Sequence, residues 1–212
     1  MKTKIFKMLF IVIYLTGINS LKAQDVFIGG EISLLFSKFY FAKPHEKLSD
    51  SYEYGFGMGG GTNVAISYKK IKHSLNIVYN SFSIDNPFIT IDKIEHWKIK
   101  INTISFRYDL YYKIMDNAKF DFYFGLGYGL NFVNKQFYLL EDSIINTYFL
   151  PMPYSTILIH PMASINISEN ISLYMEPFVL YQIQQKIPEY TNLFTIRLVS
   201  NGIHIGIEYK IK

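Results

Sequence analysis

The stretch from Phe120 to Phe132 alternates without a break. Phe120, Phe122, Phe124, Leu126, Tyr128, Leu130 and Phe132 share one parity, and Asp121, Tyr123, Gly125, Gly127, Gly129 and Asn131 share the other. A period of two belongs to a β-strand, whose successive side chains point to opposite faces, whereas a helix would mix the two sets. The same period runs through Ile104, Phe106, Tyr108, Leu110 and Tyr112, and returns in Ile171 to Ile183 and Ile203 to Ile211. Applied along the chain, the template predicts eight strands, near 25–37, 56–68, 73–84, 97–112, 119–133, 154–167, 171–184 and 195–211. Most exceed ten residues; soluble strands usually run to about five or six, and strands that cross a membrane need about 9–11.

The connections alternate as well. Those at 38–55, 85–96, 134–153 and 185–194 are long, while Lys69–Lys72, Met115–Ala118 and Ser168–Asn170 are tight. Long loops outside and short turns on the periplasmic side are the pattern of outer-membrane barrels. Pro44, Pro87, Pro151, Pro153 and Pro188 fall in the predicted long loops, where a missing amide hydrogen costs no ladder bond. Pro161 and Pro177 do not. A hairpin folded about Glu169 sets these two opposite each other, which predicts a bulge or a non-hydrogen-bonded pair at that height.

The two faces differ in content. One offers Ile, Leu, Phe and Val, with Tyr68, Tyr112, Phe120 and Tyr209 near strand ends, where an aromatic girdle belongs. The other is poor in charge and rich in small residues, among them Gly29, Gly57, Gly59, Gly61, Gly125, Gly127, Gly129, Gly202 and Gly206. A soluble ligand-binding barrel would turn its apolar face inward and a charged face to water. Here the glycine-laden face suits the interior of a narrow eight-stranded cylinder, which is barely wide enough to be filled by side chains.

Residues 1–23 read as a secretory signal peptide, with Lys2, Lys4 and Lys7, then the apolar run Met8–Leu15, then a cut after Ala23. Residues 24–212 are then the barrel domain. The run is far short of the roughly 20 residues of a spanning helix. The formal charge is +4, and the four lysines of the signal account for all of it, leaving a mature charge of zero and no argument for a nucleic-acid partner. There is no cysteine, which excludes disulfide stapling and a lipid-modified cysteine.

The segments Gln24–Glu31, Phe122–Gly129, Leu173–Phe178 and Gly202–Tyr209 resemble, over the whole mature length, the small outer-membrane β-barrel family, the OmpX/OmpA-like group of porin-family proteins. The resemblance implies an all-β, eight-stranded, antiparallel up-and-down transmembrane barrel in the cell outer membrane of a Gram-negative envelope. It implies outer-membrane lipid, lipopolysaccharide and the outer-membrane assembly machinery as partners, a monomeric state, and no cofactor.

The inward parity collects Glu31, Arg107, Asp109, Asp121, Glu176 and Glu208. An unpaired buried charge costs several kcal/mol. Arg107 is therefore expected to bridge at least one of Glu31, Glu176 and Glu208 in a lumen charge network. Its structural reading is a plug, and its functional one a gate. Histidines 45, 73, 96, 160 and 204 lack metal-ligand spacing, so no metal site is expected. His160 and Ser164 share a strand face but lie about 13 Å apart along it, too far for a catalytic pair. Lys69-Lys70-Ile71-Lys72 reads as a solvated cap at a membrane boundary. Gly57-Met58-Gly59-Gly60-Gly61 leads into a strand rather than a helix, which removes a phosphate-binding reading.

The function expected is a non-enzymatic integral barrel with a structural, surface-interaction or secretion-accessory role. The alternatives are a narrow channel or carrier for a small solute, a lipid-modifying barrel enzyme, and a soluble periplasmic binding protein.

Overall fold

A computed structural model describes residues 25–41, 54–89, 94–117, 119–140, 143–146, 153–183 and 196–211. The signal expected at 1–23 lies outside the described residues. Nine strands follow in order: β1 (Asp25–Phe41), β2 (Gly55–Tyr68), β3 (Ile71–Ile89), β4 (Ile94–Asp116), β5 (Phe120–Leu140), β6 (Ser143–Asn146), β7 (Tyr154–Asn166), β8 (Ile171–Gln182) and β9 (Ile196–Lys210). Neighbours run β4-β3-β2-β1-β9-β8-β7-β5, every pair is antiparallel, and β4 pairs with β5 to close the ring. Eight strands thus form a closed barrel with no edge strand, the only sheet arrangement that satisfies all backbone groups in hydrocarbon. The ninth, β6, adds to β5 beyond the ring.

The alternation becomes two surfaces. Phe124, Leu126 and Phe132 point outward, at 44%, 52% and 41% exposure, together with Ile28, Ile32, Val64, Leu75, Ile77, Phe106, Ile159, Leu173, Val179, Ile205 and Ile207. An apolar band running right round a closed barrel has no aqueous explanation; in hydrocarbon it carries no penalty. Tyr68, Tyr112 and Tyr209 stand exposed at the turn end of this band, where a girdle meets headgroups.

The expected long connection 85–96 is mostly strand. Pairing between β3 and β4 continues through Asp85↔Lys98 and Pro87↔His96 to Ile89↔Ile94. The expected loop 134–153 is likewise replaced in part by the upper end of β5 and by β6, joined at Leu140↔Ser143. These strands form a wall rising beyond the ends of β1, β2 and β7–β9. Pro87 therefore sits in a strand after all. The β2–β3 ladder ends at Gly57↔Phe82, five residues short of Pro87, so a missing amide hydrogen there breaks no second ladder. Between Asn102↔Lys135 and Thr103↔Val133 the register steps past Asn134, a bulge at the foot of the wall.

The two interior prolines leave a gap in pairing without a slip. The β7–β8 ladder stops at Ile159↔Val179 and resumes at Ala163↔Met175, with Pro161 and Pro177 facing each other between. The register is unchanged across the gap, which makes it an unbonded pair and not a bulge. Each proline keeps its other neighbour, as Phe124↔Pro161 and Pro177↔Ile203.

Candidate functional site

The lumen is layered, and strand parity sets each layer. At the level of the long connections, Leu35, Phe82, Ile84, Ile101, Leu158, Phe178 and Leu198 form an apolar layer across the interior. Toward the turns comes a charge layer of Arg107 and Asp109 on β4, Glu31 on β1, His160 on β7, Glu176 on β8 and His204 on β9, all buried. A small cavity of about 40 Å³ lies between the two layers, touched by Arg107, Ser105, Asn131, Thr156 and His204. Below the charge layer pack Tyr111, Tyr123, Met162 and Tyr174.

Arg107 is the hub. Its Nε donates to Asp109 Oδ2 at 2.6 Å, and its Nη2 lies 3.5 Å from Glu31 Oε2 and 3.6 Å from Glu176 Oε1. Two tyrosines each satisfy one carboxylate oxygen: Tyr111 donates to Glu176 Oε2 at 2.7 Å and Tyr174 to Glu31 Oε2 at 3.0 Å, while Oε1 of both glutamates has ionic neighbours but no hydrogen bond. Asn76 donates to Asp109 Oδ2 at 2.7 Å. His160, fully buried, lies between two acids, with Nδ1 3.2 Å from Glu176 Oε1 and Nε2 3.5 Å from Asp109 Oδ1. Arg107 Nη1 donates to His204 Nε2 at 2.9 Å, and His204 Nδ1 lies 2.7 Å from Ser33 Oγ. A guanidinium only donates, so Nε2 is the acceptor and Nδ1 carries the proton that reaches Ser33.

The structure thus brings Glu31, Arg107 and Glu176 together and places Glu208 elsewhere. Glu208 belongs to a second pair nearer the turns, with Lys72 Nζ 2.6 Å from Oε2 and Asn63 donating to Oε1 at 3.1 Å. Lys72 is 3% exposed, and the rings of Phe27, Tyr111 and Tyr123 lie 5.3, 5.8 and 5.7 Å from its ammonium. The expectation of a solvated Lys69–Lys72 cap is corrected for this residue. The turn consists of Lys69 and Lys70 alone, so Lys72 is the second residue of β3 and takes the inward parity of Ser74 and Asn76. Asp121 pairs with Lys113 at 3.1 Å. These groups line an open polar cup of about 290 Å³ at the turn end.

Removing the Glu208 carboxylate charge leaves the Lys72 ammonium with aromatic faces and an amide alone. Glu208→Gln is expected to destabilise the barrel by about 2 kcal/mol, read as a lowered urea midpoint in lipid vesicles.

Glycine makes the charge layer possible. A Cβ at Gly125 would stand 2.6 Å from His160 Cε1 and 2.8 Å from Tyr111 Cδ1. One at Gly127 would overlap the Asp109 carboxylate and lie 3.3 Å from His160 Nε2. The inward side of β5 is bare because β4 and β7 fill the space over it. Sequence parity identified most of the layer. His204 and Lys72 also have inward parity, and only the expectation of scattered histidines and a turn lysine hid them.

No protein-family model matches the chain, and no curated protein matches it in sequence. Solved structures do share its fold. A major outer membrane protein from Thermus thermophilus superposes with a TM-score of 0.50 at 10% identity, covering 89% of this chain and 100% of that one. Neisserial surface protein A gives 0.49 at 10% identity over 90% of this chain and 100% of its own. The outer membrane protein OprG from Pseudomonas aeruginosa gives 0.45 at 13% identity over 90% and 97%. With its apolar exterior, filled interior and eight-stranded closure, the chain has the fold of the small β-barrels of the outer membrane.

Proposed function

We propose that this protein is a non-conducting, non-enzymatic outer-membrane barrel that anchors a surface-interaction platform, the β3–β6 wall and the long connections around it. The filled lumen carries this reading. A solute crossing the barrel would have to displace both the Arg107 layer and the apolar layer, and the space between them, about 40 Å³, holds a few water molecules at most. The wall, in contrast, stands at the end that faces the exterior under the long-loop rule. Export by the signal at 1–23, insertion by the outer-membrane assembly machinery, a monomeric state and contact with lipopolysaccharide belong to the same reading.

The geometry also favours a non-enzymatic role. Ser33 and His204 are within hydrogen-bond distance, a pairing that a nucleophile would need. Yet the imidazole nitrogen facing Ser33 already carries its proton, the other accepts from Arg107, and both side chains are buried. No base is aimed at a reachable hydroxyl there.

In planar bilayers the purified barrel is expected to give no unitary conductance steps. Steps of reproducible size would replace this reading with that of a narrow channel for a small solute.

A further inference from the structure

On the lipid-facing surface between the two rims, His73 is the only histidine, acid or base among the described residues. It lies on β3 across from Ile66 and Leu110, two residues inward from the girdle position Ile71, which is flanked by Tyr68 and Tyr112. Two residues of strand span about 7 Å, which is about 5 Å of depth at the roughly 40° tilt of barrel strands. Below a girdle at headgroup level, that is the depth of the glycerol esters and not of the hydrocarbon centre. His73 Nδ1 is 2.6 Å from the Tyr108 hydroxyl, also on the outward face. In the tautomer in which Tyr108 donates to Nδ1, the neutral ring carries its proton on Nε2. An N–H at the lipid-facing surface needs an acceptor, and hydrocarbon has none.

Directly beneath, Lys69 and Lys70 are exposed in the β2–β3 turn, and Lys69 Nζ stands 5.2 Å from the centre of the Tyr68 ring. A 2.6 Å bond from Lys113 N to Lys70 O holds the end of β4 against this turn, and exposed Lys119 follows in the next one. The acids on this side of the rim, Asp116 and Asp121, lie 3.5 and 3.1 Å from Lys113. On the neighbouring β1, Asp25 lies opposite Ser67 and is paired with Lys210 at 2.7 Å, and across the barrel the rim carries Glu169. Positive charge is therefore concentrated under the His73–Tyr108 pair.

We propose that this face is a binding site for one anionic, ester-linked phospholipid of the periplasmic leaflet. Lys69 and Lys70 meet its phosphate, and His73 Nε2 donates to an ester carbonyl. The inference rests on the membrane-barrel reading and adds a lipid partner to it. Charge complementarity selects an anionic headgroup, and the imidazole at ester depth selects a diacyl lipid over free phosphate.

The test is native mass spectrometry of the folded full barrel with added phosphatidylglycerol, its ether-linked analogue, phosphatidylcholine or inorganic phosphate. One retained ester phosphatidylglycerol is expected, bound more tightly than phosphatidylcholine and not displaced by equimolar inorganic phosphate. Lys69→Gln with Lys70→Gln, both in an exposed turn, is expected to weaken retention roughly thirtyfold, at about one kcal/mol per lysine. His73→Phe is expected to abolish discrimination between ester and ether lipids while leaving the headgroup preference. Equal retention of phosphatidylglycerol and phosphatidylcholine, unchanged retention in the double lysine variant, displacement by phosphate, or unchanged ester selectivity in His73→Phe would each overturn the proposal. Heat-modifiable gel mobility of every protein is measured alongside. Its absence from the wild type would overturn the barrel reading, a failure distinct from loss of lipid selectivity.

Discussion

Arg107→Ala is expected to cost the barrel about 3–5 kcal/mol of stability, the range for removing one partner from a buried ionic cluster. The loss is not confined to one bond. Asp109 loses its 2.6 Å partner, Glu31 and Glu176 lose the cation at 3.5 and 3.6 Å, and His204 loses its donor at 2.9 Å. Three buried carboxylates are then left with two imidazoles and the tyrosine hydroxyls. Arg107→Lys is expected to recover part of the loss, since it restores a charge but not the fork that reaches several acceptors at once. The urea midpoint in vesicles reads both. Conductance of the alanine variant is expected to remain silent because the layer from Leu35 to Leu198 still seals the lumen above it. An unchanged midpoint would show that Arg107 does not balance the layer.

Gly127→Leu is the second large effect. The position faces the Asp109 carboxylate so closely that even a Cβ overlaps it, and Leu158 Cβ stands 3.2 Å away on the other side. A whole isobutyl group must push Asp109 off Arg107 or force β5 away from its neighbours, so overpacking is compounded by a broken ion pair. The expected loss is at least about 3 kcal/mol, or failure to reach the heat-modifiable form. The adjacent Leu126→Ala supplies the contrast. Leu126 is 52% exposed on the outward face, where lipid fills whatever space a smaller residue leaves. That change is expected to cost below about 1 kcal/mol. Similar losses at 126 and 127 would mean that the two faces are not what the barrel makes them.

The contrast between 126 and 127 also shows why so much of this fold was legible. Alternation at Phe120–Phe132 carries both the strand assignment and its faces, because a period of two cannot be satisfied any other way. The inward charges came with it: Glu31, Arg107, Asp109, Glu176 and Glu208 each lie opposite the apolar parity of their own strand, on the side that barrel closure turns to the interior. What parity cannot supply is height. Whether Arg107 meets Glu208 or Glu31 depends on the stagger of strands far apart in sequence, and here the stagger gives Glu208 to Lys72. The wall was missed for a different reason. Asp85-Asn86-Pro87 reads as a turn, yet the β3–β4 ladder runs through it to Ile89↔Ile94, and a strand with a neighbour on one side only tolerates such residues.

Because the chain has no cysteine, single cysteines can be placed along β4 without a background. A fluorescent label at 103, 104, 105, 106 and 110 in turn, with brominated lipid acyl chains as the quencher, tests which side of the strand meets hydrocarbon. Strong quenching is expected at 104, 106 and 110, in place of Ile104, Phe106 and Leu110, and little at 103 and 105, where Thr103 and Ser105 face the lumen. Quenching without a period of two, or with the parities exchanged, would contradict the barrel's orientation in the bilayer and everything built on it.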